Sequence, residues 1–221
     1  MTSASGTTLK GRLARKLGIG AIVLAGVGWL FLKTINDTNA EPYAIDQGAL
    51  SGWTLVVEGQ GRQSLLALRP PEQTRKEIHR QVFQRTMISL FEPDQPMPVV
   101  LEREYESSLR PTFTPEEMLD LARKAGVEGE PLQPVCIGVA RESSPGQTRQ
   151  FYYAVFTAPA VGRFRTELAR LLAERGAGSS GFDPDALRPI LPVATTDIAF
   201  APTSLDLGPE MKCLAPLSAG G

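Results

Sequence analysis

Residues 134–157 read PVCIGVARESSPGQTRQFYYAVFT. Two runs, Pro134 to Arg141 and Arg149 to Thr157, are rich in the β-branched and aromatic residues that favour strands. Pro145-Gly146 between them is a turn signal. The stretch predicts a β-hairpin. Its strands are apolar on both faces, so they belong at the centre of a sheet covered by helices. Phe151, Tyr152 and Tyr153 are read first as core or cross-strand partners, ahead of a ligand cleft.

Downstream, Val161 to Glu174 predicts a helix. Val161, Phe164, Leu168, Leu171 and Leu172 form its apolar stripe, and Gly176 stops it. It should pack on the hairpin. Asp183-Pro184 opens a short helical turn through Leu187, with Asp183 as N-cap. Val193 to Ala201 predicts a last strand. The remainder, with Pro202, Pro209 and Pro216, is expected to be irregular and held by Cys213, and residues 217–221 to be a flexible tail.

Upstream, Thr114-Pro115-Glu116-Glu117 is a capping box with proline at the first helical position, and Gly126 is placed to end the helix Pro115 to Ala125. Trp53 to Val57 and Ser64 to Leu68, joined through Gly59-Gln60-Gly61, predict a first hairpin. Glu72 to Arg85 predicts a helix with Ile78 and Val82 on its buried face. Its basic residues mark a solvated face, with anionic headgroups as a second use of the same charge. Met87 to Phe91 and Val99 to Tyr105 read as strands, the second an edge strand because of Glu102-Arg103-Glu104. This order of elements gives an α+β class: a mostly antiparallel sheet with two or three packed helices.

The N-terminal part is different. Leu17 to Leu32 (LGIGAIVLAGVGWLFL) carries no charge, and Lys10, Arg12, Arg15 and Lys16 precede it. A bilayer core about 30 Å thick needs about 17 to 25 helical residues. Snorkelling of Lys16 and Lys33, and continuation to Ile35, bring the stretch into that range. One N-terminal transmembrane helix is therefore expected ahead of the sheet. The basic flank places the N-terminus in the cytoplasm. The expected organisation is a cytoplasmic segment 1–16, an anchor 17–35, a tether 36–43, an exported α+β domain 44–216 and the tail 217–221. The setting is a bacterial-type inner membrane, single-pass, with the domain on the periplasmic side. Cleavage as a signal peptide after Ala40 and a mitochondrial presequence merging into an anchor are the alternatives. Gly18, Ala21, Ala25 and Gly28 form a stripe of small residues, the kind that admits a second membrane helix.

From Glu41 on there are 23 acidic and 18 basic residues, a net charge of about −5, which argues against nucleic acid as a partner. Charge is also uneven locally. Glu92 to Glu130 holds ten acidic residues against four basic ones, and Arg69 to Arg85 holds five basic against two acidic. Mutual neutralisation on folding is preferred over steering of a basic partner. Cys136 and Cys213 point to one disulfide in an oxidising compartment, for roughly 2 to 4 kcal/mol, with two buried free thiols as the alternative.

Chemical motifs are scarce. His79 is the only histidine, which excludes multi-histidine metal sites and leaves one base for a nucleophile device. Gly178-Ser179-Ser180-Gly181 lacks the spacing and preceding strand of a nucleophile elbow. Gly59-Gln60-Gly61 lacks the third glycine and the helix of a dinucleotide loop. No catalytic, cofactor or metal residue is nominated. The expectation is a membrane-anchored protein with an exported, non-catalytic interaction domain, an accessory, assembly or scaffolding subunit of an envelope or inner-membrane complex. An exported hydrolase using carboxylates and a cleaved periplasmic ligand-binding protein are the alternatives.

Overall fold

The computed structural model describes residues 27, 29, 41–58, 63–144, 146–176, 181–198 and 213–220. The chain divides into two units, Met1–Glu41 and Pro42–Gly221. In the first, Val27 and Trp29 are helical and exposed. The second is an α+β fold.

The expected transmembrane helix is corrected by the described residues: none of their helices is long and apolar enough to cross a membrane. Apart from Val27 and Trp29, the predicted span 17–35 lies outside the described residues, and so do Gly18, Ala21, Ala25 and Gly28. The single sheet is corrected too. Among the described residues there are two sheets. One has five strands in the order β1 (Tyr43–Asp46), β8 (Cys213–Gly220), β5 (Gln133–Ser144), β6 (Gln147–Thr157), β7 (Ile190–Thr195). The other has three: β2 (Thr54–Val57), β3 (Ser64–Arg69) and β4 (Met97–Leu101). Pairing is antiparallel except between β1 and β8, which run parallel. Three helices of ten or more residues accompany them among the described residues: α1 (Glu72–Thr86), α2 (Pro115–Lys124) and α3 (Pro159–Glu174).

The hairpin β5–β6 is central, as its composition demands. Tyr152, Ala154 and Phe156 of β6 turn into the main core, and Phe151, Tyr153 and Val155 into a second cluster with Cys136 and Ile190. Alternate residues of a strand face opposite sides of its sheet, so both faces are covered. Gly138 lies opposite Tyr153 in the ladder. A Cβ at Gly138 would stand 2.7 Å from the Tyr153 hydroxyl, so only glycine lets the buried ring lie flat over β5.

α1 closes the curl of the large sheet by serving both of its edge strands. The Gln81 amide accepts from Ala44 N–H at 3.0 Å and donates to Ala44 C=O at 2.6 Å, the way a neighbouring strand would. His79 Nδ1, facing a carbonyl that can only accept, donates to Val193 of β7 at 3.0 Å. Unpaired edges invite aggregation, and here a helix occupies them.

The capped helix α2 forms where expected. Thr114 Oγ1 accepts from Glu117 N–H at 3.2 Å, and Gly126 takes φ +78° beyond α2. Five local expectations are corrected. Met87 to Phe91 is no strand: Met87 caps α1 with φ 53°, and Phe91 makes an isolated bridge to Thr195. Glu102-Arg103-Glu104 starts a helical turn that runs into a π-helical turn at Tyr105–Leu109, because Glu104 is drawn inward by a buried arginine. Asp183 caps a simple turn, accepting from Asp185 N–H at 2.9 Å, and the strand at Val193 begins earlier, at Ile190. The expected irregular end and flexible tail are a strand, β8, lying between β1 and β5. Pro216 sits inside it.

Candidate functional site

Two buried arginines absorb much of the acidic stretch. Arg165 of α3 is 1% exposed and donates from every guanidinium nitrogen. It grips the Glu104 carboxylate through both oxygens, at 3.0 and 2.7 Å. It also donates to the carbonyls of Val99, Asp183 and Pro184 at 3.2, 2.7 and 2.9 Å, and lies over the Phe182 ring. Arg75 of α1 binds the segment before β4, donating to Pro93 C=O and to Asp94, both at 3.2 Å. Its Nε lies 3.2 Å from Glu92 but off the hydrogen-bond line, so that contact is ionic only.

Further pairs follow the same division. Arg69 reaches Glu58 and Asp94, Arg163 reaches Glu130, and Arg175 reaches Glu117 at 2.5 Å. That contact, with the hydrogen bond from Arg175 foremost, holds the Glu117 carboxyl below the usual glutamate range. The uneven charge of the sequence thus cancels largely within the domain. Arg165 lies four residues after Val161 and three before Leu168, on the apolar stripe of α3, and that position was the signal by which the sequence marked it as buried.

An open groove of about 850 Å³ lies between β1, the 3₁₀ turn Gln47–Leu50 and the first turns of α1. Asp46, Glu77, Lys76 and Arg80 stand on its walls, charges that balance. Arg80 is paired with Glu77, and Lys76 with Glu72, at 2.7 and 2.5 Å. His79, the one candidate base, is held on Val193 and belongs to the α1–β7 seam. Among the described residues no group of three His, Cys, Asp or Glu side chains is placed to hold a metal ion. Cys136 and Cys213 are brought to disulfide distance, with Cα atoms 5.7 Å apart.

A bulge makes that pairing possible. Ile137 faces Ala215, and the next residue of β5, Gly138, faces Cys213, so Leu214 is an extra residue in β8. An extra residue turns the following side chains to the other face. Ala215 and Leu217 therefore enter the main core while Cys213 meets Cys136 on the opposite face.

The surface feature that stands out is apolar. Met87, Ile198, Phe91 and Phe83 are 80%, 73%, 48% and 46% exposed. Phe83 and Met87 share the last turn of α1, where Met87 N–H bonds Phe83 C=O at 2.9 Å. Phe91 exchanges backbone hydrogen bonds with Thr195, at 2.8 and 2.9 Å, and Ile198 follows three residues later. Phe83 and Met87 are thus joined at the end of α1, and Phe91 and Ile198 flank the bridge to β7. Met87 is the only described non-glycine residue with positive φ. That left-handed position is normally given to glycine, and a side chain there costs about 1 kcal/mol.

Compared with protein-family models, with curated proteins and with solved structures, the chain matches none.

Proposed function

We propose that the domain following Glu41 is an exported, non-catalytic interaction domain, an accessory or assembly subunit of an envelope or inner-membrane complex, with its domain on the periplasmic side. The observation that carries this reading is Met87, an exposed apolar side chain kept on a left-handed cap and hydrogen-bonded through its N–H to the carbonyl of the exposed Phe83. Strain of this kind persists where function uses it. Methionine is soft and adaptable, which suits a contact surface. Neighbouring exposed apolar side chains, as Phe83 and Met87 are at the end of α1, suit a protein contact. The cysteine pair at disulfide distance supports an oxidising compartment.

The test is recovery of partners from native membranes in mild detergent. Met87→Gly should raise stability, by removing the strained side chain, and at the same time lower recovery of a stoichiometric partner. Unchanged recovery with Met87→Gly and with Ile198→Glu overturns the reading.

A further inference from the structure

We propose that the Cys136–Cys213 disulfide is a redox latch on β8, and that its reduction by a dithiol lets β8 exchange into the sheet of a second copy of this chain.

The hold on β8 is uneven. It sits between β1 and β5, and among the described residues its ladder to β5 has three registered pairs, broken by the bulge at Leu214. Pro216 stands in one of those pairs, opposite Cys136, with no N–H to donate. Only Ala215 and Leu217 enter the core from this strand. The neighbours are held independently. β5 keeps eleven registered pairs with β6. β1 keeps both Gln81 bonds, and Arg85 of α1 donates to Pro42 C=O at 2.7 Å and lies over the Tyr43 ring. Departure of β8 therefore leaves a slot with two standing walls. The slot fits an extended strand with apolar residues on alternate positions, and a second copy's β8 has that pattern by identity. Fourteen residues separate Ile198 from Cys213, which at full extension span up to about 50 Å.

The chemistry balances as follows. Cys136 is buried and Cys213 exposed, so the reductant's thiolate attacks Cys213 Sγ. The Cys136–Cys213 bond breaks and Cys136 leaves as thiolate, then takes up a proton. The reductant's second thiol closes on the mixed disulfide and frees Cys213. Two electrons pass from the dithiol, which ends as a disulfide, to the two cysteines. In an oxidising compartment the latch stays closed, and exchange between copies, a hazard of strands held by little, is prevented.

Two measurements on the full chain test this. In the first, hydrogen exchange is followed with and without a dithiol. Peptides over 43–46 and 136–138 should exchange at least about tenfold faster on reduction, while β7 and α3 keep their protection. Equal loss everywhere would show that the disulfide holds the whole domain, and would overturn the latch. In the second, differently tagged Cys136→Ser and Cys213→Ser chains are mixed and oxidised. A strand-exchanged pair joins Cys213 of one chain to Cys136 of the other, giving a covalent heterodimer identifiable by its linked peptides. Absence of that species, with the slot protected in the first measurement, also overturns it.

Discussion

Arg165 and Glu104, 61 residues apart in the chain, meet in a two-pronged ion pair inside the domain, with Arg165 1% exposed and the Glu104 side chain 13% exposed. The pair ties α3 to the helical turn after β4, and the same guanidinium ties both to the Asp183–Pro184 turn. Removing one partner of a buried pair leaves an uncompensated charge. Arg165→Ala is expected to cost about 3 to 5 kcal/mol in urea unfolding. Arg165→Lys should recover little of this, since an ammonium cannot reproduce the planar fork. A loss under about 1 kcal/mol for Arg165→Ala would show that the pair adds nothing to the fold.

The α1 seam gives a second expectation. Gln81→Ala removes both bonds to Ala44, and should cost about 1 to 3 kcal/mol and speed amide exchange in β1 first. His79→Ala should cost about 1 kcal/mol and loosen β7. Amide exchange resolved by strand separates the two. Identical patterns from both variants would contradict the two-edge closure.

Gly138→Ala places a methyl group against the buried Tyr153 ring and should cost about 1 to 3 kcal/mol. Tyr153→Leu in the same chain relieves the clash. The double variant should therefore fall short of the sum of the two single losses. Simple additivity would refute the close packing.

The Glu117–Arg175 pair sets a small acid dependence. The Glu117 carboxyl titrates lower in the folded state than in the unfolded chain, where it lies near about 4.3. Its contribution is then complete above that value and is lost as the pH falls through the folded value. The pair is more than a third exposed at both ends, so solvent screening keeps the contribution small. Glu117→Gln should be less stable than the parent at pH about 7, and the gap should close as the pH falls through the folded value of that carboxyl. A gap that persists below that value would assign the loss to something other than the charge.

At the α1 cap, Met87→Gly is expected to raise stability by about 1 kcal/mol in thermal or urea unfolding. No gain would mean that the φ of 53° carries no strain and would remove the main support for the contact surface.

The elements written in local patterns were legible in the sequence. Alternating apolar residues put Tyr152 and Phe151 on opposite covered faces of β6, Thr114 and Gly126 framed α2, and Gly176 stopped α3, because each of these signals acts within a few residues. The tertiary structure decided the rest. Glu102 to Glu104 has the charge of an edge strand and becomes helical because Glu104 meets Arg165 from a distant helix. Met87 becomes a left-handed cap rather than a strand start because α1 runs on to Thr86. Cys213 to Gly220 has the proline, serine and glycine of a loop, and forms a strand because β1 and β5 stand on either side to complete its hydrogen bonds. A short stretch of weak local preference takes its structure from the partners it meets, and those partners lie far away along the chain.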